Sequence, residues 1–111
     1  MTVRPITPET AARLIAGGAV LIDIREAQEC ADVIEGAQSA PMSTGTAGIE
    51  AHPDQPVIFH CRTGRRTEMN AEVLAASVPT DDVYLLQGGI EGWQAAGLPV
   101  RSRDRSLAGS E

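Results

Sequence analysis

Cys61 stands where a thiol can be made to react. It follows the apolar run Pro56-Val57-Ile58-Phe59, and it opens the segment Cys61-Arg62-Thr63-Gly64-Arg65-Arg66-Thr67, which leads into a helical stretch from Glu68 to Val78. Strand, tight loop, helix is the order that brings loop amides and the positive end of a helix onto one sulfur, which favours thiolate over thiol. Arg62, Arg65 and Arg66 place three of the chain's nine basic residues in this loop. Every basic residue is arginine, whose planar fork suits oxyanions. A nucleophilic cysteine facing an anion is the chemistry that these residue types describe. The alternative, a small buried hydrophobe at a strand end, fits poorly with three arginines and a glycine as neighbours. His60 ends the strand, where a histidine is more often packed or hydrogen-bonded than catalytic, and it is assigned no step.

Composition narrows the partners. At 111 residues the chain is one domain with a single core. Its 42% apolar content argues against global disorder. Aromatic residues are scarce (Phe59, Tyr84 and Trp93), so Val, Ile, Leu, Ala and Met must build the core. A net charge of -6 excludes general nucleic-acid affinity and makes the arginine loop a local positive spot. Cys30 and Cys61 do not make a disulfide framework, and neither lies at zinc spacing from His52 or His60, so no metal or other cofactor is expected. The start, Met1-Thr2-Val3-Arg4-Pro5, lacks the apolar segment of a signal peptide, and no stretch approaches a membrane span. The expected setting is soluble, reducing and cytoplasmic.

The elements that must position Cys61 follow from local pattern. Thr7-Pro8-Glu9 predicts a helix start, running to about Ala16 and stopped by Gly17-Gly18. Ala19 to Ile24, apolar except for Asp23, predicts a strand covered on both faces. Arg25 to Val33 predicts a short helix closed by Gly36, and Gln38 to Met42 a brief strand. Ser43 to Gln55 predicts a loop with at most one helical turn. Val57 to Phe59 is the next buried strand. Thr67 to Ser77 is the next helix, with Met69, Val73, Leu74 and Val78 on one side. Pro79 to Asp82 is a turn, Val83 to Leu86 the last strand, and a short helix surrounds Trp93 before Gly97-Leu98-Pro99. The polar stretch from Arg101 predicts a frayed tail. Strands separated by helices imply a parallel sheet with helices on both faces. Sites in such folds lie at the carboxyl ends of strands, where Cys61 falls.

These pieces resemble the rhodanese family. The resemblance rests on Asp23-Ile24-Arg25 with Glu29, Gly36-Ala37, the loop Cys61 to Arg66 with Thr67, and Leu86-Gln87-Gly88-Gly89 through Trp93 to Ala96-Gly97-Leu98-Pro99-Val100. It spans roughly residues 5 to 100 and is closest to bacterial single-domain rhodaneses. Some of those continue into a short membrane-anchoring segment, which is not expected here. The resemblance implies a three-layer α/β rhodanese-like fold, with a mainly parallel five-stranded sheet and helices on both faces. It implies a domain over 1–103, leaving 104–111 as the tail.

It further implies a thiosulfate or persulfide sulfurtransferase. A sulfane sulfur would move from thiosulfate or a persulfide donor to a thiol or cyanide through a Cys61 persulfide. The six-residue loop Cys61, Arg62, Thr63, Gly64, Arg65 and Arg66 would cradle that persulfide with its amides. Thr67 caps the helix with its hydroxyl near the sulfur, and Gly64 allows the tight turn. Asp23, Arg25 and Glu29 form a supporting group, Arg25 and Glu29 pairing four residues apart on one helix face. Trp93 belongs to the core, and Gly88 and Gly89 let backbone pass close to the active loop. The expected partners are small sulfur-containing anions, thiols or a protein thiol. Two departures from the family alter one pocket wall: Cys30 replaces the usual aromatic, and the stretch from Glu29 to Gly36 is about one residue short. Cys30 reads as a small buried residue, with a resolving thiol as its other role.

Two rivals remain. A phosphatase or arsenate reductase also places cysteine in an anion loop. The tyrosine-phosphatase pattern, however, puts arginine six residues after the cysteine, where this chain has Thr67. Phosphate-acting relatives carry a loop one residue longer. The second rival is a module without turnover, either an interaction domain or a redox or nitrosation sensor reacting at Cys61.

Overall fold

Three short apolar runs form the centre of the molecule because both faces of each are covered. They are β2 (Val20–Asp23), β5 (Val57–His60) and β6 (Val83–Leu86). They are joined at the edges by β1 (Val3–Ile6) and by a two-residue strand at Gln38–Ser39, which follows β3 (Asp32–Val33) and is therefore β4. In this computed structural model, which describes residues 3–102, the sheet order is β1-β6-β5-β2-β4. Every pair in it is parallel. The catalytic candidate thus leaves the central strand, β5, at its carboxyl end.

Helices cover both faces. On one side α1 (Pro8–Ala16) and α4 (Gly89–Ala95) pack Ala11, Ile90 and Trp93 against Leu21, Ile58 and Leu86. On the other, α3 (Ala71–Ala76) packs Leu74 and Ala75 against Ile22, Phe59 and Val83. The alternation of residues 57 to 60 assigns Phe59 to one layer and Ile58 to the other, as the two-residue period of a strand requires. Thr7 caps α1 as expected, its hydroxyl accepting from the Thr10 N–H at 3.2 Å. Trp93 is buried, and its indole N–H donates to the Pro99 carbonyl at 2.8 Å.

Several elements differ from the pattern-based expectation. β1 was not foreseen, since Val3-Arg4-Pro5-Ile6 contains a proline. It lies at the sheet edge, pairing with β6 alone, and an edge strand tolerates a residue without an N–H. The helix predicted over Arg25 to Val33 shrinks to one 3₁₀ turn, Ala27–Glu29, followed by β3. The Arg25 guanidinium donates to the Asp32 carbonyl at 2.8 Å and the Glu29 carbonyl at 3.4 Å, drawing in oxygens that a helix would use internally. The predicted helix from Thr67 to Ser77 starts earlier, as α2 (Arg65–Met69), and is interrupted at Asn70 before α3. There the Asn70 amide competes for the Arg66 carbonyl at 2.8 Å. Met69 and Val73 do not join the buried side: they are 73% and 62% exposed, while Leu74 and Val78 are buried. Successive helical residues point about 100° apart, so Val73 and Leu74 cannot share one narrow face. Arg101–Ser102, placed by pattern in the tail, forms β7 and pairs antiparallel with β3. The tail expected over 104–111 lies outside the described residues.

Candidate active site

Cys61 follows directly on β5 and is fully buried at the floor of its loop. The loop turns at Gly64, whose φ of 90° lies in the left-handed region and whose N–H donates to Cys61 Sγ at 3.2 Å. Gly64 is also the N-cap residue of α2. Thr67 is therefore not the helix cap: it sits one turn in, and its hydroxyl donates back to the Gly64 carbonyl at 3.0 Å. The same hydroxyl oxygen lies 4.0 Å from Cys61 Sγ, so the expected proximity to the sulfur is present. Arg62, Thr63 and Arg65 are exposed on the rim, while Arg66 is partly buried.

The outer wall of the loop is α4. Cys61 O accepts from the Ile90 N–H at 2.9 Å and Arg62 O from the Glu91 N–H at 3.1 Å. In a trans peptide the carbonyl and the following N–H point oppositely, so the Arg62 and Thr63 amides face away from α4. This contact needs Gly89. A Cβ there would meet Cys61 O at 2.5 Å and Arg62 C at 2.6 Å, with φ at +59°. The expected close passage of the Gly88-Gly89 backbone is thus present. Gly89→Ala is expected to cost at least about 2 kcal/mol and, by displacing the loop, about a hundredfold in turnover. Thermal unfolding and rate measurements together check this; an alanine variant matching wild type in both would refute the packing argument.

Charge around the loop is sorted by three carboxylates. The Arg66 fork clasps Glu29 with two bonds of 2.8 Å, and Arg62 Nε reaches Glu91 at 2.9 Å. Arg65 alone of the loop arginines has no carboxylate partner among the described residues. The Arg66 hydrogen bonds, followed by that from the Glu26 N–H, hold the Glu29 carboxyl below its usual range. The predicted Arg25–Glu29 side-chain pair is not formed. Arg25 instead grips Asp23 through Nε at 3.0 Å and through its terminal nitrogen at 2.8 Å, with both residues buried. Burial pushes the Asp23 carboxyl up, but the Arg25 hydrogen bonds and the charges nearby outweigh it, leaving the carboxyl below its usual value. A cleft of about 470 Å³ opens beside the loop, lined by Arg25, Glu29, Asp32, Arg62 and Glu91 among others.

A family model described as the rhodanese-like domain matches residues 7–96. The chain belongs to the rhodanese-like domain family. It is 37% identical over 107 residues to a thiosulfate sulfurtransferase GlpE from Actinobacillus succinogenes, covering 92% of this chain and 94% of the relative. Among solved structures, a rhodanese-related protein from Thermoplasma volcanium superposes with a TM-score of 0.74 at 23% identity, covering 88% of this chain and 97% of that one. A protein of unknown function from Rhodopseudomonas palustris, named a possible tyrosine phosphatase, gives 0.72 at 26% identity, covering 89% and 85%. The mainly parallel five-stranded sheet with flanking helices is the expected rhodanese-like fold. No described helix is long and apolar enough to cross a membrane.

Two groups of this rhodanese-like domain escape a local reading of the sequence. Glu91 lies 29 residues from Arg62 and reaches it only because α4 packs on the loop. His60 is completely buried, with Nδ1 3.1 Å from Cys61 O and Nε2 3.8 Å from Asp23 Oδ2. Its signal was the pairing of β2 with β5, which sets Asp23 opposite His60 on one face. Cys30, at the wall where the family pattern has an aromatic, is buried with Sγ 3.3 Å from Glu26 O and 3.7 Å from Asp23 Oδ2. It borders a cavity of about 220 Å³, and no disulfide joins it to Cys61.

Proposed function

We propose that this protein is a sulfurtransferase that carries sulfane sulfur on Cys61. The observation that carries the reading is the buried Cys61 sulfur receiving the Gly64 N–H inside a six-residue loop. The thiosulfate sulfurtransferase name of the Actinobacillus succinogenes relative supports it. In the first step the Cys61 thiolate attacks the outer sulfur of thiosulfate. A sulfur–sulfur bond forms to Cys61, the donor's sulfur–sulfur bond breaks, and its electron pair leaves with sulfite. In the second step an acceptor thiolate or cyanide attacks the outer persulfide sulfur, and the electron pair returns to Cys61 as thiolate. No oxidant is consumed. Gly64 N–H and the Arg62 and Thr63 amides would hold the resident negative charge, as donors do in an oxyanion hole.

The rim divides its work. With Glu91 on Arg62 and Glu29 on Arg66, those two arginines fix the loop, while Arg65 draws in the anionic donor. Thr63 lines the mouth, and Thr67 braces Gly64. Asp23, Arg25 and Glu29 support the loop from below. The acceptor is a small thiol or a cysteine of a protein partner, and the setting is cytoplasmic. A phosphate substrate is disfavoured, since residue 67 is threonine where the phosphatase pattern has arginine and the loop suits a smaller anion.

The test is the intact mass before and after incubation with thiosulfate, with peptide mapping. One added sulfur on Cys61, removed by cyanide or reductant, is expected; a folded protein whose Cys61 gains nothing would reject the reading. Arg65→Ala is expected to raise the thiosulfate KM about tenfold with kcat nearly unchanged. An unaltered KM would deny Arg65 that role.

A further inference from the structure

His60 has a feature that a core residue would avoid. A carbonyl oxygen only accepts, so the 3.1 Å contact to Cys61 O requires the hydrogen on Nδ1. That tautomer leaves Nε2 bare, and Nε2 is the buried side-chain atom without a hydrogen-bond partner among the described residues. It faces another acceptor, Asp23 Oδ2, at 3.8 Å. Burial drives the imidazole pKa down, opposed in part by Asp23, so the ring is held neutral and the conflict is not relieved by protonation. A leucine or phenylalanine at this place, like Ile58 and Phe59 before it, would carry no such penalty. The compensation lies at the other nitrogen.

We propose that His60 is a positioning residue for sulfur transfer, its Nδ1–H fixing the Cys61 carbonyl and thereby aiming the Arg62 amide into the anion loop. Cys61 O has two lone pairs, and Ile90 N–H at 2.9 Å takes one while His60 takes the other. With both engaged, the peptide between Cys61 and Arg62 cannot rotate, and its N–H is kept on the side away from α4. The ring itself is wedged between that peptide and Asp23, which Arg25 clamps, so the buried ion pair reaches the nucleophile through His60. The inference rests on the sulfurtransferase reading.

Three variants and one spectrum test it. His60→Leu keeps volume and removes the donor; it is expected to lower kcat for sulfur loading from thiosulfate about tenfold with KM unchanged. His60→Asn puts an amide N–H near the Nδ1 position and is expected to recover turnover to within about twofold, whereas His60→Gln, reaching toward Asp23, is not. Turnover is normalised to folded protein. If His60→Leu fails to fold, the contrast between asparagine and glutamine decides. Nitrogen NMR of the wild-type ring at neutral pH is expected to show a protonated Nδ1 and a bare Nε2. Equal losses in His60→Asn and His60→Gln, an undiminished kcat in folded His60→Leu, or an Nε2–H tautomer would each overturn the proposal. A wild-type protein that loads no sulfur would instead reject the sulfurtransferase reading, while the spectrum still reports the His60 bond.

Discussion

Cys61→Ala is expected to abolish sulfur transfer and persulfide formation while leaving a folded protein. The chemical side is absolute, because alanine has no atom able to accept sulfur. Cys30 cannot take over. Its thiol is buried outside the loop, turned to the Glu26 carbonyl at 3.3 Å and the Asp23 carboxylate at 3.7 Å. The structural side is mild. Cys61 contributes one small buried side chain to a cluster with Ile22, Phe59 and Leu74, and its truncation costs about 1–2 kcal/mol. Gly64 N–H loses its sulfur acceptor, but the loop remains pinned to α4 through Ile90 and Glu91. The assay is thiosulfate-to-cyanide turnover alongside thermal unfolding. Turnover above about one part in a thousand of wild type, in a variant of confirmed purity, would mean that Cys61 is not the sulfur carrier.

How far the sequence reached depends on the distance over which each feature is decided. The buried strands β2, β5 and β6 and the capped start of α1 were legible, since continuous apolar runs and Thr7-Pro8 act within a few residues. The loop around Cys61 was legible for the same reason. What escaped is decided between distant segments. β1 exists only because β6 offers it an edge, and local pattern saw a proline. Glu29 was matched to Arg25 by helical spacing, but the segment is not a helix, and Arg66 is 37 residues away. Asp23 outcompeted Glu29 for Arg25 because a buried carboxylate beside the guanidinium must be paired, whereas an exposed one need not be. His60 was set aside as a packed residue, and its burial bears that out. Its two contacts required the strand register, which no single segment carries.

Arg25→Ala is expected to be the most damaging change away from the loop. Arg25 and Asp23 are 3% and 2% exposed, and the arginine also holds the carbonyls of Glu29 and Asp32. Removing it strands a carboxylate in the interior, a loss of about 3–5 kcal/mol, which is a large part of the total stability of a domain this size. The melting temperature should fall by about 15 °C or more. Activity should fall with it, since the turn carrying Glu29 loses its anchor and Arg66 loses a fixed partner. The pH dependence separates this mechanism from simple loss of packing. In wild type the folded Asp23 carboxyl sits below its usual 3.8, so its stabilisation is complete above that value and fades only as pH falls through the lower one. Without the Arg25 side chain, burial, the largest influence on this carboxyl, is opposed only by His60 and the backbone N–H at position 25, and it raises the folded value above the unfolded one. The sign then reverses: the penalty is absent where Asp23 is protonated and grows as pH rises toward neutrality. The stability gap between Arg25→Ala and wild type should therefore narrow from pH 7 toward pH 4, and denaturant titrations at both values measure it. Asp23→Asn combined with Arg25→Met removes both charges and should recover much of the loss at pH 7, because a neutral amide needs no counter-charge. A gap that is the same at both pH values, or a double variant no better than Arg25→Ala, would place the energy in packing rather than in the stranded charge.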